Sequence, residues 1–193
     1  MWSVPWRVVN VTCDEICLSV DLAMSPLRFV RSLSLGSSTL TARYSLTNLS
    51  DAPEQFLWAM HPLIAPRAGD QVELPAEARR QLHDESWLDT LDFGSRLPAF
   101  AKVYCGRLSE GRVAVANARA GCRLGFAWNT AENDALGIWL TRGGWNGYHH
   151  LALEPTNVPA DSLADAVAQD CCGSLGPHST KNWSVRLHCE SQT

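Results

Sequence analysis

The sequence predicts an all-β antiparallel sandwich or barrel, on three observations. Eleven short apolar-rich runs, each bounded by polar or glycine-containing text, are spread along the 193 residues, the density of strand signals expected of such folds. Several runs alternate strictly: Thr39, Thr41, Arg43, Ser45 and Thr47 interleave with Leu40, Ala42, Tyr44 and Leu46, the period-2 signature of a strand wet on one face. Turn chemistry separates the runs, as at Gly36-Ser37-Ser38 and Glu110-Gly111, so antiparallel hairpins are the natural connection.

In chain order the predicted strands are WRVVNVT (6–12), EICLSVDL (15–22), RFVRSLSL (28–35), STLTARYSLTN (38–48), FLWAMHPL (56–63), AFAKVYC (99–105), GRVAVANA (111–118), CRLGFAWN (122–129), LGIWLT (136–141), HHLALEP (149–155) and WSVRLHC (183–189). Helical signal is confined to 75–89 and 161–170. In the second stretch Asp161 or Ser162 can cap a helix whose Leu163, Ala166 and Val167 fall at i, i+3 and i+4. No fixed-period repeat, low-complexity segment or divisive linker interrupts the text, so one domain over residues 1–193 is expected.

Composition narrows the function classes. Hydrophobic residues at 46% and charged residues at 19% are ordinary for a globular protein, and the length supports a packed core. With 16 basic against 20 acidic side chains the formal net charge is −4. No broad positive field is available to neutralise phosphates, which argues against nucleic acid or an anionic membrane surface as partner. No run approaches the roughly 18 apolar residues of a membrane helix, and the opening MWSVPWRVVNVTCDE has neither the charged head nor the apolar stretch of a signal peptide. A soluble, cytoplasmic protein is therefore expected. The seven cysteines form no framework, and Cys13 and Cys17 lack a second pair of metal ligands.

Two segments carry ionisable residues inside apolar strand text, where burial is normally costly. FLWAMHPLIAPRAGD holds His61 at its centre, and LALEPTNVPADSLADA holds Glu154 at the end of an apolar strand stiffened by Pro155 and Pro159. A carboxylate and an imidazole are the smallest set that can remove a proton at one point of a substrate and deliver one at another. For either residue alone the structural reading is the commoner one: a satisfied strand histidine, a strand-end glutamate paired with arginine.

The two segments, read together, resemble the galactose mutarotase-like (aldose 1-epimerase) superfamily. LTNLSDAPEQFLWAMHPLIAPRAGDQVELP resembles the segment in which a strand ends at that family's catalytic histidine. GIWLTRGGWNGYHHLALEPTNVPADSLADAV is similar to its later segment ending in the catalytic glutamate, and LGPHSTKNWSVRL to its closing pattern, with His178 where glycine is frequent. The resemblance implies an antiparallel β-supersandwich with a sugar cleft. It also implies Glu154 as base for the anomeric hydroxyl, His61 as acid for the ring oxygen, and no metal or organic cofactor. A small-molecule sugar, a hexose or hexose phosphate, is the implied ligand.

Sugars also require a flat apolar partner. Trp145, in the glycine-flanked turn RGGWNGY, is one candidate for that platform, the alternative being a plug at the end of the sandwich. Trp58, beside His61, is a second candidate, although like Trp128, Trp139 and Trp183 it lies in strand text typical of core. Arg142 is placed to bind a hydroxyl or phosphate or else to be a solvated turn arginine, and Asn157, with Thr156, to orient Glu154 or simply to make a turn.

Family members run to roughly 300 residues, about two domains' worth. The opening Met1-Trp2-Ser3-Val4-Pro5-Trp6 matches text just after an early motif of that family, so its N-terminal strands, with an arginine and a histidine that hold the sugar, are expected to be lacking. An exposed sheet edge would follow, with self-association into a homo-oligomer as one remedy. Three functions remain open on the sequence: an aldose 1-epimerase-like isomerase, a carbohydrate-binding protein without turnover, and a structural subunit that keeps the fold alone.

Overall fold

The computed structural model describes residues 4–67, 69–82, 99–117 and 121–191. Strands dominate. An eight-stranded antiparallel sheet is built in the order β1 (Arg7–Val11), β2 (Glu15–Asp21), β3 (Leu27–Leu35), β4 (Thr39–Asn48), β14 (Thr180–Ser191), β10 (Cys122–Trp128), β9 (Arg112–Asn117) and β7 (Gln71–Glu73). A four-stranded sheet has the order β6 (Leu63–Ile64), β12 (His149–Thr156), β11 (Ala135–Arg142) and β8 (Ala99–Cys105). β5 (Glu54–Phe56) and β13 (Gly173–Leu175) form a small third sheet.

The core lies between the two larger sheets. From the eight-stranded sheet it takes Phe29, Tyr44, Phe126 and Trp183, and from the four-stranded sheet Leu136, Ile138, Leu140, Leu151 and Leu153. The aromatic members interlock, with Phe29 and Tyr44 rings stacked at 5.7 Å and Trp58 edge-on to Trp183 at 5.0 Å. Each core strand contributes alternate residues, because successive side chains leave opposite faces of the pleat.

Ten of the predicted runs become strands whose limits shift by only a few residues. The eleventh, FLWAMHPL, is broken. β5 ends at Phe56, Ala59 makes an isolated bridge to Thr156, and pairing resumes only at β6. Pro62 lacks the N–H that a continuous ladder would need. The short strands β7 and β13 lie outside the predicted runs, since three residues are too few to show a period.

The first helical stretch is α1 (Ala76–Gln81), with the predicted 83–89 portion outside the described residues. The second is α2 (Leu163–Ala168), and between the two possible caps the structure selects Ser162, whose side chain accepts from the Asp165 N–H at 3.0 Å. β1 forms one border of the larger sheet and is exposed along its length, including Val8, Val9 and Val11. No helix among the described residues is long and apolar enough to cross a membrane.

Candidate active site

His61 and Glu154, 93 residues apart in sequence, meet through a hydrogen bond between Nδ1 and Oε1. Backbone pairing explains the meeting. Residues 58–60 run antiparallel to the end of β12: the Met60 N–H donates to the Pro155 carbonyl at 3.0 Å, and the Asn157 N–H to the Trp58 carbonyl at 3.2 Å. Ala59 pairs with Thr156 and Leu63 with Ala152. That one register, carried across the break at Pro62, sets His61 opposite Glu154.

Two side chains reinforce the junction. Asn157 Oδ1 accepts from the Trp58 N–H at 2.7 Å, while the Thr156 hydroxyl donates to the Trp58 carbonyl, also at 2.7 Å. Asn157, expected to orient Glu154 or simply to make a turn, therefore serves the backbone that delivers His61.

The row continues across the sheet. Glu154 lies beside Gly137 of β11, and Gly137 beside Tyr104 of β8. An added Cβ on Gly137 would sit 3.0 Å from Glu154 Oε2 and 3.0 Å from Tyr104 Cε1, so it is the absence of a side chain there that lets carboxylate and phenol approach each other over the strand. In the next row Lys102, Trp139 and Ala152 are neighbours. Trp139 turns its ring toward His61, centroids 5.7 Å apart and nearly perpendicular.

Trp139 was expected in the core; instead it shares a face with Gly137 and Glu154. It heads an aromatic series, with Trp145 5.7 Å from Trp139, Tyr148 5.7 Å from Trp145, and His150 stacked on Tyr148 at 5.6 Å. Trp145 is half exposed and folds back because its N–H donates to the Thr141 hydroxyl at 3.1 Å. The turn that allows this needs positive φ at Gly143, Asn146 and Gly147.

Two expected substrate contacts are corrected. Trp58 is buried at 6% exposure among Tyr44 and Trp183, so its ring belongs to the core and only its backbone serves the site. Arg142 is buried at 9% exposure, and in the regular ladder of β11 it alternates with the residues of the Glu154 face and shares the side of Leu136, Ile138 and Leu140. It is neither a solvated turn residue nor a neighbour of the carboxylate.

Imidazole and carboxylate touch, as directly opposed positions on neighbouring antiparallel chains allow, and Glu154 is only 3% exposed. The His61 side chain, 32% exposed, forms the solvent side of the pair.

A second polar group stands beside the first. Asp161, just before α2, accepts from the Tyr104 hydroxyl at 2.9 Å and from the Lys102 ammonium, both on Oδ1. The Lys102 hydrogen bond, then that of Tyr104, hold the Asp161 carboxyl below the usual range. Burial pushes the Tyr104 phenol up to about 12. For Lys102 burial favours the neutral amine, but Asp161, Tyr104 and the charge of Glu154 outweigh it and keep the ammonium. The alternation of AFAKVYC already puts Phe100, Lys102 and Tyr104 on one face; nothing local indicates that this face is shared with Glu154. No group of three or more His, Cys, Asp or Glu side chains fit to hold a metal ion occurs among the described residues.

Solved structures share this architecture. The Slr1438 protein from Synechocystis superposes with a TM-score of 0.77 at 18% identity, over 98% of this chain and 67% of its own. A galactose mutarotase related enzyme from Lactobacillus acidophilus gives 0.71 at 13% identity, over 98% and 72%. The GalM/aldose epimerase homologue from C. elegans gives 0.69 at 14% identity, over 97% and 69%. The fold is thus the galactose mutarotase-like β-sandwich, and this chain spans about two thirds of the length of those relatives. No protein-family profile and no curated protein matches the sequence.

Proposed function

We propose that the chain acts as an aldose 1-epimerase-like isomerase, interconverting the α and β anomers of a hexose or hexose phosphate, with Glu154 as base and His61 as acid. The observation that carries this reading is the pairing of a buried carboxylate with a partly exposed imidazole on an aromatic-lined sheet face. Glu154 takes the proton of the anomeric hydroxyl as the C1–O1 bond becomes a carbonyl. The C1–O5 bond breaks, and O5 receives the proton of His61. Rotation about C1–C2 and reversal of the same transfers, with closure from the other face, gives the opposite anomer and restores both groups. No redox change or leaving group is involved.

Because Glu154 is nearly sealed by His61, the sugar engages only when their contact opens. His61 lies between an isolated bridge and a two-residue strand, outside any regular ladder. The Trp139 and Trp145 rings then face the apolar side of the sugar.

Polarimetry or exchange NMR on the common hexoses and their phosphates tests the reading. The expected result is faster anomer conversion with at least one sugar, lost in Glu154→Gln; no acceleration with any sugar ends it. The sealed carboxylate favours one alternative, a carbohydrate-binding protein without turnover. Sugar binding that survives Glu154→Gln alongside absent mutarotation selects that alternative.

A further inference from the structure

We propose that Tyr104, Lys102 and Asp161 form a hydroxyl-reading subsite that recognises the part of the sugar remote from its anomeric carbon, an inference that rests on the sugar reading above. Tyr104 and Glu154 close over Gly137 from either side, so the phenol adjoins the carboxylate. A ring whose anomeric hydroxyl engages Glu154 has Tyr104 and the groups bonded to it as neighbours.

The chemistry of the group suits a polyol. Both donors converge on Asp161 Oδ1, so Oδ2 keeps its capacity to accept a hydrogen bond, and the Asp161 side chain is 64% exposed. The Lys102 ammonium carries three N–H donors, one of which Asp161 accepts. An ionised acceptor adjoining a cationic donor matches a sugar hydroxyl, which both accepts and donates, and charged partners strengthen each bond. The Lys102 ammonium also lies 5.4 Å over the Tyr104 ring, which fixes the relative placement of the two.

Tyr104 also lines a cavity of about 730 Å³ at the ends of β8 and β12, which it shares with Gly106, Asn157 and Pro159 and which Lys102, Asp161 and Glu154 do not line. A structural latch alone would need the ion pair but not a phenol between it and the carboxylate.

The test is a substrate series: glucose, galactose and the complete set of their monodeoxy analogues, assayed by exchange NMR with the wild type, Tyr104→Phe and Asp161→Asn. Removing the hydroxyl that the subsite reads should lower wild-type kcat/KM by about tenfold, the loss expected for one hydrogen bond to a charged partner. Both variants should lose that discrimination and raise KM for the parent sugar more than they lower kcat.

Uniform loss across all analogues in an otherwise active enzyme overturns the subsite and leaves a latch. If no sugar is turned over, binding of the same series is followed by tryptophan fluorescence. Discrimination that disappears in Tyr104→Phe then upholds the subsite while the isomerase reading fails, and absence of any binding overturns both.

Discussion

The two faces of the four-stranded sheet are made by the same strands and obey different rules. On the inner face Leu136, Ile138, Leu140, Leu151 and Leu153 are fully buried at 0% exposure and join the aromatic cluster of the larger sheet. On the outer face the alternate positions hold Gly137, Trp139, Ala152 and Glu154, where bulk varies sharply and polar groups meet. Within each strand stability is concentrated on alternate residues and the proposed chemistry on those between, the inward positions being even-numbered on β11 and odd-numbered on β12. Substitutions one residue apart should therefore have separable consequences.

The largest separation is expected between Glu154→Gln and its neighbour Leu153→Ala. Glu154→Gln keeps the volume and removes the proton acceptor, so anomer conversion should fall by about 10²–10⁴-fold, with a smaller stability change than the core variant shows in urea. Leu153→Ala should lose about 2–5 kcal/mol of unfolding free energy, while conversion per folded molecule at low temperature stays close to wild type. Equal damage to both properties in both variants would erase the distinction between the faces.

Gly137→Ala sharpens the comparison because it alters the outer face without touching any charge. The new Cβ would stand 3.0 Å from both Glu154 Oε2 and Tyr104 Cε1, so one of them must yield by a few tenths of an ångström. Activity should fall by about tenfold or more, since small misplacements of reacting groups are costly, while stability changes by no more than about 1–3 kcal/mol. Wild-type kinetics in this variant would show that the close approach of Glu154 and Tyr104 is not used.

The smallest effect concerns the core. Burial raises the Tyr44 phenol from 10.0 to about 12 and the Cys105 thiol from 9.0 to about 11. Both groups hold their proton longer folded than unfolded, so the unfolded state binds fewer protons once pH passes the unfolded values. Stability is intact below about pH 9 and declines as pH rises toward the folded values, at about 1.4 kcal/mol per unit for each group. Thermal melting between pH 8 and 11 should show this decline, and Tyr44→Phe should flatten it. An unchanged slope in Tyr44→Phe would remove the phenol from the account.

Some of the site was legible in advance. His61 and Glu154 stand out as ionisable residues in apolar strand text, and resemblance to the galactose mutarotase-like superfamily supplied their expected roles. Their direct contact was not legible, because it depends on residues 58–60 pairing with the end of β12 across a break that reads as continuous strand. The tryptophans show the same limit: Trp58 and Trp139 sit in similar text, yet one packs in the aromatic core and the other against His61. Asn157 and Arg142 had signals of polar turn residues, and only the ladder showed that one anchors backbone and the other turns to the buried side.

Local sequence determined the all-β class, most strand limits, the short helix that follows Asp161 and Ser162 and which residues share a face of each strand, because alternation, capping and turn chemistry act over a few neighbouring residues. The tertiary structure alone decided which face became core, that Tyr104, Gly137, Glu154 and His61 form one row, and that Lys102 and Asp161 stand beside it. Strand order and register arise from contacts between segments far apart in the chain, and a one-residue change of register would move every one of these side chains to the other side of the sheet.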